Sequence, residues 1–151
     1  MDYRPFEINL TCLEGLEIVH CLFKVHAYAV VSIVGDSSSR QQTPVGKYFG
    51  DKPTWNFPMR FCLEESKLRQ NQLVLMVQLR YSRIFGGDKT IAEVHIPFKK
   101  LLDNCGDNIW DTQFGVHQVI MTPSIKPPRG YLYFSYKFGE KIVNWDGSEG
   151  F

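Results

Sequence analysis

The chain has 151 residues, a mass of 17.5 kDa and a formal net charge of +1. This length suits one domain with a substantial core, and a content of 44% apolar and 22% charged residues excludes wholesale disorder and fibrous architectures. The near-neutral charge excludes general attraction to nucleic acid or anionic membranes, so such binding needs a local patch. No apolar run is long enough to span a bilayer and no secretory signal follows Met1, so we expect a cytoplasmic protein whose membrane contact is peripheral.

Strand patterns dominate the chain. Period-two alternation, β-branched runs and aromatic residues predict strands at 6–12, 28–34, 59–63, 72–79, 90–96, 116–121 and 131–138. Turn clusters fall at 35–38, 53–58, 86–88 and 127–130. One short connecting helix is expected at 98–102, and the whole pattern predicts an all-β sandwich.

The last part of the chain has a different composition. Residues 139–151 lose the alternation and are rich in Gly, Asp and Glu. We therefore expect a single domain over 4–138, followed by a flexible C-terminal tail.

An apolar and basic segment precedes the second strand. Leu22, Phe23 and Lys24 stand where a loop is ordinarily polar, directly before the β-branched run that contains Val30 and Val31. The segment predicts a binding function, because a rigid strand would hold its tip in place.

Four motifs carry a family resemblance, and they occur at 22–33, 52–61, 87–97 and 126–138. Their order and spacing resemble those of the C2 domain, and specifically of small plant C2 proteins induced by cold and by defence elicitation. The resemblance implies an eight-stranded antiparallel β-sandwich, with loops at one end that form a binding rim. It also implies a role in plant stress or immune signalling.

The rim departs from calcium-binding C2 domains at several positions. The resemblance implies carboxylates in the first and third rim loops, since calcium takes six to eight oxygen ligands. These positions fall on His20, His26, Arg80, Ser82 and Asp88, of which only Asp88 is acidic. We therefore expect a calcium-independent domain without a metal or other cofactor.

Direct membrane binding is the first functional hypothesis. Large apolar and basic residues occupy the same two loops: Leu22, Phe23, Lys24, Arg83, Ile84, Phe85 and Lys89. Insertion of one large apolar side chain contributes ~1.5 to 3 kcal/mol, and a basic residue near an anionic leaflet ~1 kcal/mol. Weak peripheral binding to the anionic plasma membrane follows, unless these apolar side chains turn inward and cap the core. A second lipid route along a concave strand face is weakened, because Pro44 stands where the resemblance implies a lysine.

Protein binding is the alternative hypothesis, and the partner is left unidentified. The candidate anchors are aromatic: Tyr48, Phe49, Trp55, Tyr81, Tyr131 and Tyr133. Most of them are expected to cover the core, and Trp55 in particular is expected to point inward.

The remaining classes find less support in the sequence. No nucleophile motif occurs, and Glu64 and Glu65 are expected to form a solvated strand end, so the chain is predicted not to be an enzyme. The cysteines lack CxxC spacing and are expected to be free thiols. A zinc site is a further hypothesis, because His20, Cys21 and His26 share a loop and Cys12 is expected to lie below it. The two histidines also leave open a proton-sensitive contact with acidic lipid.

Overall fold

The computed structural model of the chain describes residues 1–14, 27–49, 52–81, 87–107, 111–118, 120–121 and 130–143. The described strands are β1 (Tyr3–Glu14), β2 (Ala27–Val34), β3 (Asp36–Gln42), β4 (Lys47–Phe49), β5 (Lys52–Glu64), β6 (Val74–Tyr81), β7 (Lys89–Pro97), β8 (Gln113–Gln118), β9 (Ile120–Met121) and β10 (Tyr131–Phe138). The described helices are α1 (Glu65–Arg69) and α2 (Phe98–Asn104).

The strands form two sheets, and every described pair is antiparallel. The first sheet has the order β4-β5-β1-β10-β8 and the second the order β3-β2-β6-β7-β9. Since β4 and β9 are only three and two residues long, each sheet consists of four substantial strands with a short strand added at one edge. The predicted eight-stranded sandwich is confirmed in this sense.

Alternation along the strands builds the core. In β1, Phe6, Ile8 and Leu10 are at most 1% exposed, while the residues between them are half-buried. Every second residue of β6 and β10 is buried in the same way. A strand sends successive side chains to opposite faces, so each sheet has one apolar face, and these two faces meet inside the sandwich.

The helices lie at the end of the sandwich where β5 and β7 finish. Phe98 of α2 is fully buried, and its ring meets that of Phe6 edge-on at a centroid distance of 4.9 Å. The ring of Phe138 lies 5.1 Å from that of Phe6. This aromatic cluster closes the core at the end opposite the predicted binding rim.

The whole of one predicted turn and most of another prove to be parts of strands. Residues 53–58 lie inside β5, where Leu10 pairs with Phe57 but Cys12 with Thr54, so the pairing slips by one residue. Asn56 absorbs the slip with a φ of 46°, as expected of a β-bulge. Asp36 pairs with Ile33 and already belongs to β3, because Gly35 (φ 105°) allows a tight turn.

The predicted tail begins with ordered pairing to β1. Gly139 N–H donates to the Pro5 carbonyl at 2.8 Å, and Tyr3 and Ile142 exchange two backbone hydrogen bonds of 3.0 and 2.7 Å. Residues 139–143 are therefore held to the first sheet, and residues 144–151 lie outside the described part of the chain.

Candidate binding rim

Three strand ends meet at the predicted rim of the second sheet. Ala27, where β2 begins, pairs with Tyr81, where β6 ends, and Tyr81 pairs with Lys89, where β7 begins. The chain between β1 and β2 and the chain between β6 and β7 therefore connect to the same end of this sheet. Antiparallel pairing thus brings the ends of both predicted binding loops together.

Arg80 is the centre of a hydrogen-bond network at this rim. Its Nη1 donates to Thr90 Oγ1 at 2.8 Å, its Nε to the Tyr28 hydroxyl at 3.3 Å, and its Nη2 to the Asp88 carbonyl at 3.4 Å. The Tyr28 hydroxyl in turn donates to Asp88 Oδ2. One guanidinium thus connects β2, β6, β7 and the residue that precedes β7.

Tyr28 is buried beneath this network and remains protonated. Burial raises the pKa of its hydroxyl above the ordinary value, and the hydrogen bond to the Asp88 carboxylate raises it further, against a smaller opposing effect of Arg80. A protonated phenol is required for donation to Asp88. One oxygen of the Asp88 carboxylate is consequently occupied by a hydrogen bond from within the protein.

Most of the residues predicted to bind at the rim fall outside the described part of the chain: His20, Leu22, Phe23, Lys24, His26, Ser82, Arg83, Ile84 and Phe85. Their assignment stays a prediction. The structure describes Arg80 and Asp88 with their contacts, and it describes Lys89 as the first residue of β7.

The described part of the rim contains one guanidinium and one carboxylate of the predicted calcium positions. Arg80 places a fixed positive charge where the resemblance implies a carboxylate, and Asp88 already accepts a hydrogen bond from Tyr28. A hard cation needs several free oxygen ligands, and a neighbouring guanidinium repels it. Among the described residues, no three His, Cys, Asp or Glu side chains are grouped to hold a metal. His20, Cys21 and His26 of the zinc hypothesis lie outside those residues.

Trp55 points inward, as predicted. It packs against the core, and its Nε1 lies 3.4 Å from the Ala27 carbonyl that it donates to. Tyr81 also packs against the core. Tyr131 is the aromatic of the predicted set that is exposed among the described side chains, at 43%.

The sequence prediction missed the most exposed aromatic residue of the described chain. Phe114 is 86% exposed and Val116 is 52% exposed, and both lie on the outward face of β8. The predicted strand began only at Val116, so Phe114 was left out of the pattern. The available signal was an alternation, because the two apolar residues alternate with Gln113, Gly115 and His117. This alternation does not show which face of the strand points inward.

The expectation that Glu64 and Glu65 form a solvated strand end is wrong for Glu65. This side chain is buried and accepts hydrogen bonds from Arg4 Nε at 3.0 Å, Arg4 Nη2 at 2.9 Å and Arg69 Nε at 2.9 Å. Burial alone would raise the pKa of Glu65, but the two guanidinium groups outweigh it and the pKa is lowered. The Glu65 carboxylate therefore forms a buried ion pair that joins α1 to Arg4 of β1, at the end of the sandwich opposite the rim.

A cavity of about 500 Å³ lies far from the rim, between the edges of β3 and β5. Its lining includes Asp36, Arg40 and Cys62. Burial, together with the charge of Asp36, raises the pKa of the Cys62 thiol to about 11, which leaves it protonated and unsuited to nucleophilic attack. Cys62 and Cys105 are free thiols, as predicted.

Comparison with known proteins identifies the family. The family model of the C2 domain matches residues 6–112, and the chain belongs to the C2 domain family. The resemblance drawn from the four motifs is thereby confirmed.

Two plant proteins are similar along nearly the whole chain. Soybean protein SRC2 is 38% identical over 94% of the chain, and the Arabidopsis thaliana protein SRC2 homolog is 37% identical over 95%. The matches cover 48% and 43% of those two proteins, so the chain spans less than half the length of the curated relatives.

A solved plant structure supports the fold. A C2 domain of plant extended synaptotagmin 1 superposes with a TM-score of 0.68 at 13% identity, over 89% of this chain and 92% of that one. Among the described residues, no helix is long and apolar enough to cross a membrane.

Proposed function

We propose that the chain is a non-enzymatic C2 adaptor that binds anionic membrane surfaces without calcium. The observation that supports this proposal is the Arg80 network, because it holds a partly exposed guanidinium at a position where the family resemblance implies a calcium-binding carboxylate. A fixed cation attracts anionic headgroups in the absence of a metal ion.

The proposed membrane contact combines this charge with the apolar loop residues. Phe23 and Phe85 with Leu22 and Ile84 supply insertion energy, and Lys24, Arg83 and Lys89 supply attraction to anionic lipid. The gain of ~1.5 to 3 kcal/mol per inserted side chain must exceed an orientational cost of about 4 kcal/mol or more. Binding is therefore weak and depends on anionic lipid. The proposed location is the cytoplasmic face of the plasma membrane, in a plant stress or immune response like that implied by the family resemblance.

Vesicle flotation tests the proposal directly. The wild-type chain is expected to float with phosphatidylcholine vesicles that contain phosphatidylserine, equally in calcium and in chelator, and not with phosphatidylcholine alone. Phe23→Ala combined with Phe85→Ala should abolish most of the binding. Val143→Ala is the control, since it removes a 59% exposed apolar side chain next to Ile142, which pairs with Tyr3 at the end of β1 opposite the rim. Binding that requires calcium contradicts the proposal.

A variant designed to gain calcium binding tests whether the missing carboxylates make the domain calcium-independent. Replacing His26, Arg80 and Ser82 with aspartate provides carboxylates at three positions implied by the resemblance, beside Asp88. Calcium in excess should raise the unfolding temperature of this variant and leave that of the wild type unchanged, since a ligand stabilises only a protein that binds it. A calcium-dependent shift in the wild type contradicts the proposal.

Protein binding is the second candidate function. Phe114 and Val116 form an exposed apolar pair on an edge strand, and an unprotected edge strand can pair with a strand of another chain. Absence of the wild type from anionic vesicles, with or without calcium, would favour this alternative.

A further inference from the structure

The four sheet edges of the described chain differ in how they are protected. The strand β4 has three residues and β9 has two, which is too short to template another strand. The edge strand β3 carries Asp36 and Arg40, and the β2–β3 pairing is interrupted between Ser32 and Ile33. Charges and bulges of this kind oppose edge-to-edge pairing.

The edge strand β8 has none of these protections. Its six residues, Gln113–Gln118, include no Lys, Arg, Asp, Glu or Pro, and within the described chain it pairs with β10 alone. Its pairing with β10 is continuous from Gln113 to Gln118. An edge strand directs alternate backbone N–H and C=O groups away from its one neighbour, so β8 presents a regular row of these groups.

The side chains of β8 favour another apolar strand. Phe114 is 86% exposed and Val116 is 52% exposed on the outer face, where Val116 stands opposite Tyr133 of β10. Burial, together with the charge of Lys100, lowers the pKa of His117, so this strand is uncharged at neutral pH. A partner strand with a net charge of its own would find no complementary charge here.

A second copy of β8 matches this surface. When two antiparallel copies are centred on Gly115, each Phe114 lies opposite the Val116 of the other copy, and each Gln113 lies opposite its His117. All of these pairs are apolar with apolar or polar with polar, and none joins like charges. A two-fold axis at Gly115 thus makes the strand complementary to itself, which is the requirement of an isologous interface.

We propose that the chain forms a homodimer through antiparallel pairing of β8 with β8 of a second copy, centred on Gly115. The dimer contains one continuous sheet, with five strands from each copy. Each buried aromatic side chain removes about 150 to 250 Å² from water. Since only one short strand contributes from each side, the interface is at the small end of specific interfaces and the dimer is transient.

Sedimentation velocity over a range of concentrations tests the dimer. The sedimentation coefficient of the wild type is expected to rise with concentration from the value of a monomer towards that of a dimer. Val116→Lys should weaken the association about tenfold or more, because it places a charge in an apolar pair. Val143→Lys is the matched control, since Val143 is 59% exposed outside β8. A wild type that stays monomeric, or a Val143→Lys variant that weakens the dimer equally, overturns the proposal.

Charge exchange tests the register. Phe114→Glu with Val116→Glu places like charges opposite each other across the axis and should abolish the dimer. Phe114→Glu with Val116→Lys pairs opposite charges in the same register and should restore it relative to the double glutamate variant. Circular dichroism of both variants verifies that the monomer is folded. Equal association of the two folded variants overturns the pairing centred on Gly115.

Discussion

The Tyr28 hydroxyl donates a hydrogen bond to the carboxylate of Asp88, a residue 60 positions away in the sequence. Tyr28 belongs to β2, whereas Asp88 directly precedes β7, and these strands are separated in the sheet by β6. Arg80 of β6 lies between them and donates to the same hydroxyl. The three residues therefore form one hydrogen-bonded cluster at the rim.

Tyr28→Phe and Arg80→Gln are expected to be non-additive. Each substitution should lower the free energy of unfolding by about 0.5 to 1.5 kcal/mol, the usual contribution of a partly exposed hydrogen bond. The double variant should lose less than the sum by about 0.5 kcal/mol or more, because both substitutions remove the same Arg80–Tyr28 contact. Urea unfolding of the four proteins measures this coupling, and strictly additive losses would show that the network is not a unit.

Glu65→Gln should destabilise the fold by about 3 kcal/mol at neutral pH, because it leaves Arg4 buried without its counter-charge. Glu64→Gln is the matched control. Glu64 pairs with Lys67 at the longer distance of 3.7 Å, and its loss should cost about 1 kcal/mol or less. Urea unfolding at pH 7 compares the two variants, and equal losses would contradict a structural role of the buried pair.

The same pair should make stability depend on pH. The pKa of Glu65 is lowered in the folded state, so its contribution is complete above the unfolded value of about 4.3 and is lost as the pH falls through the folded value. The difference in unfolding free energy between the wild type and Glu65→Gln should therefore narrow in acid. A difference that stays constant between neutral pH and acid contradicts this linkage.

Thr43→Val should cost about 1 to 3 kcal/mol, because it leaves a buried backbone donor without a partner. Thr43 is 2% exposed, and its Oγ1 accepts a hydrogen bond from Ala29 N–H at 3.0 Å. Thr43→Ser keeps the hydroxyl and removes only a methyl group, so it should retain more stability than the valine variant. Thermal unfolding of both variants distinguishes the hydrogen bond from packing, and the reverse order contradicts the prediction.

Gly115→Ala should destabilise the monomer by about 1 to 3 kcal/mol through overpacking. An added Cβ would lie 2.4 Å from Phe134 Cζ. This ring is confined by Tyr136 and His117, whose rings lie 5.8 and 6.0 Å away. The entropic benefit of alanine, about 0.4 to 1 kcal/mol, is smaller than the clash. Calorimetry at low protein concentration measures the monomer, where an unchanged unfolding temperature would contradict the clash.

Phe134→Leu, combined with Gly115→Ala, tests whether the Phe134 ring causes the clash. The smaller side chain makes space for the added methyl group, so the double variant should be more stable than the sum of the two single losses predicts. Independent losses would show that the Gly115 backbone and the Phe134 ring do not constrain each other.

The irregular pairing of β5 with β1 could not be predicted from the sequence pattern. Pro53 and Pro58 predicted a turn, because proline disfavours a continuous ladder. Both lie within β5, which stays paired with β1 on either side of a bulge at Asn56. The bulge accommodates the one residue that β5 has in excess of β1. Only the partner strand determines that this segment is extended.

The sequence alone determined the sandwich and the motifs of its family, because period-two alternation gives each strand one apolar face wherever that strand lies. It also determined that Asp88 is the one acidic residue among the five predicted calcium positions, since this depends only on residue types. Tertiary structure decided that Arg80 holds Tyr28 and binds the backbone of Asp88, that Glu65 is buried with Arg4, and that Phe114 faces outward. These relationships join residues far apart in the chain, and their geometry depends on which strands become neighbours and which strand is left at an edge.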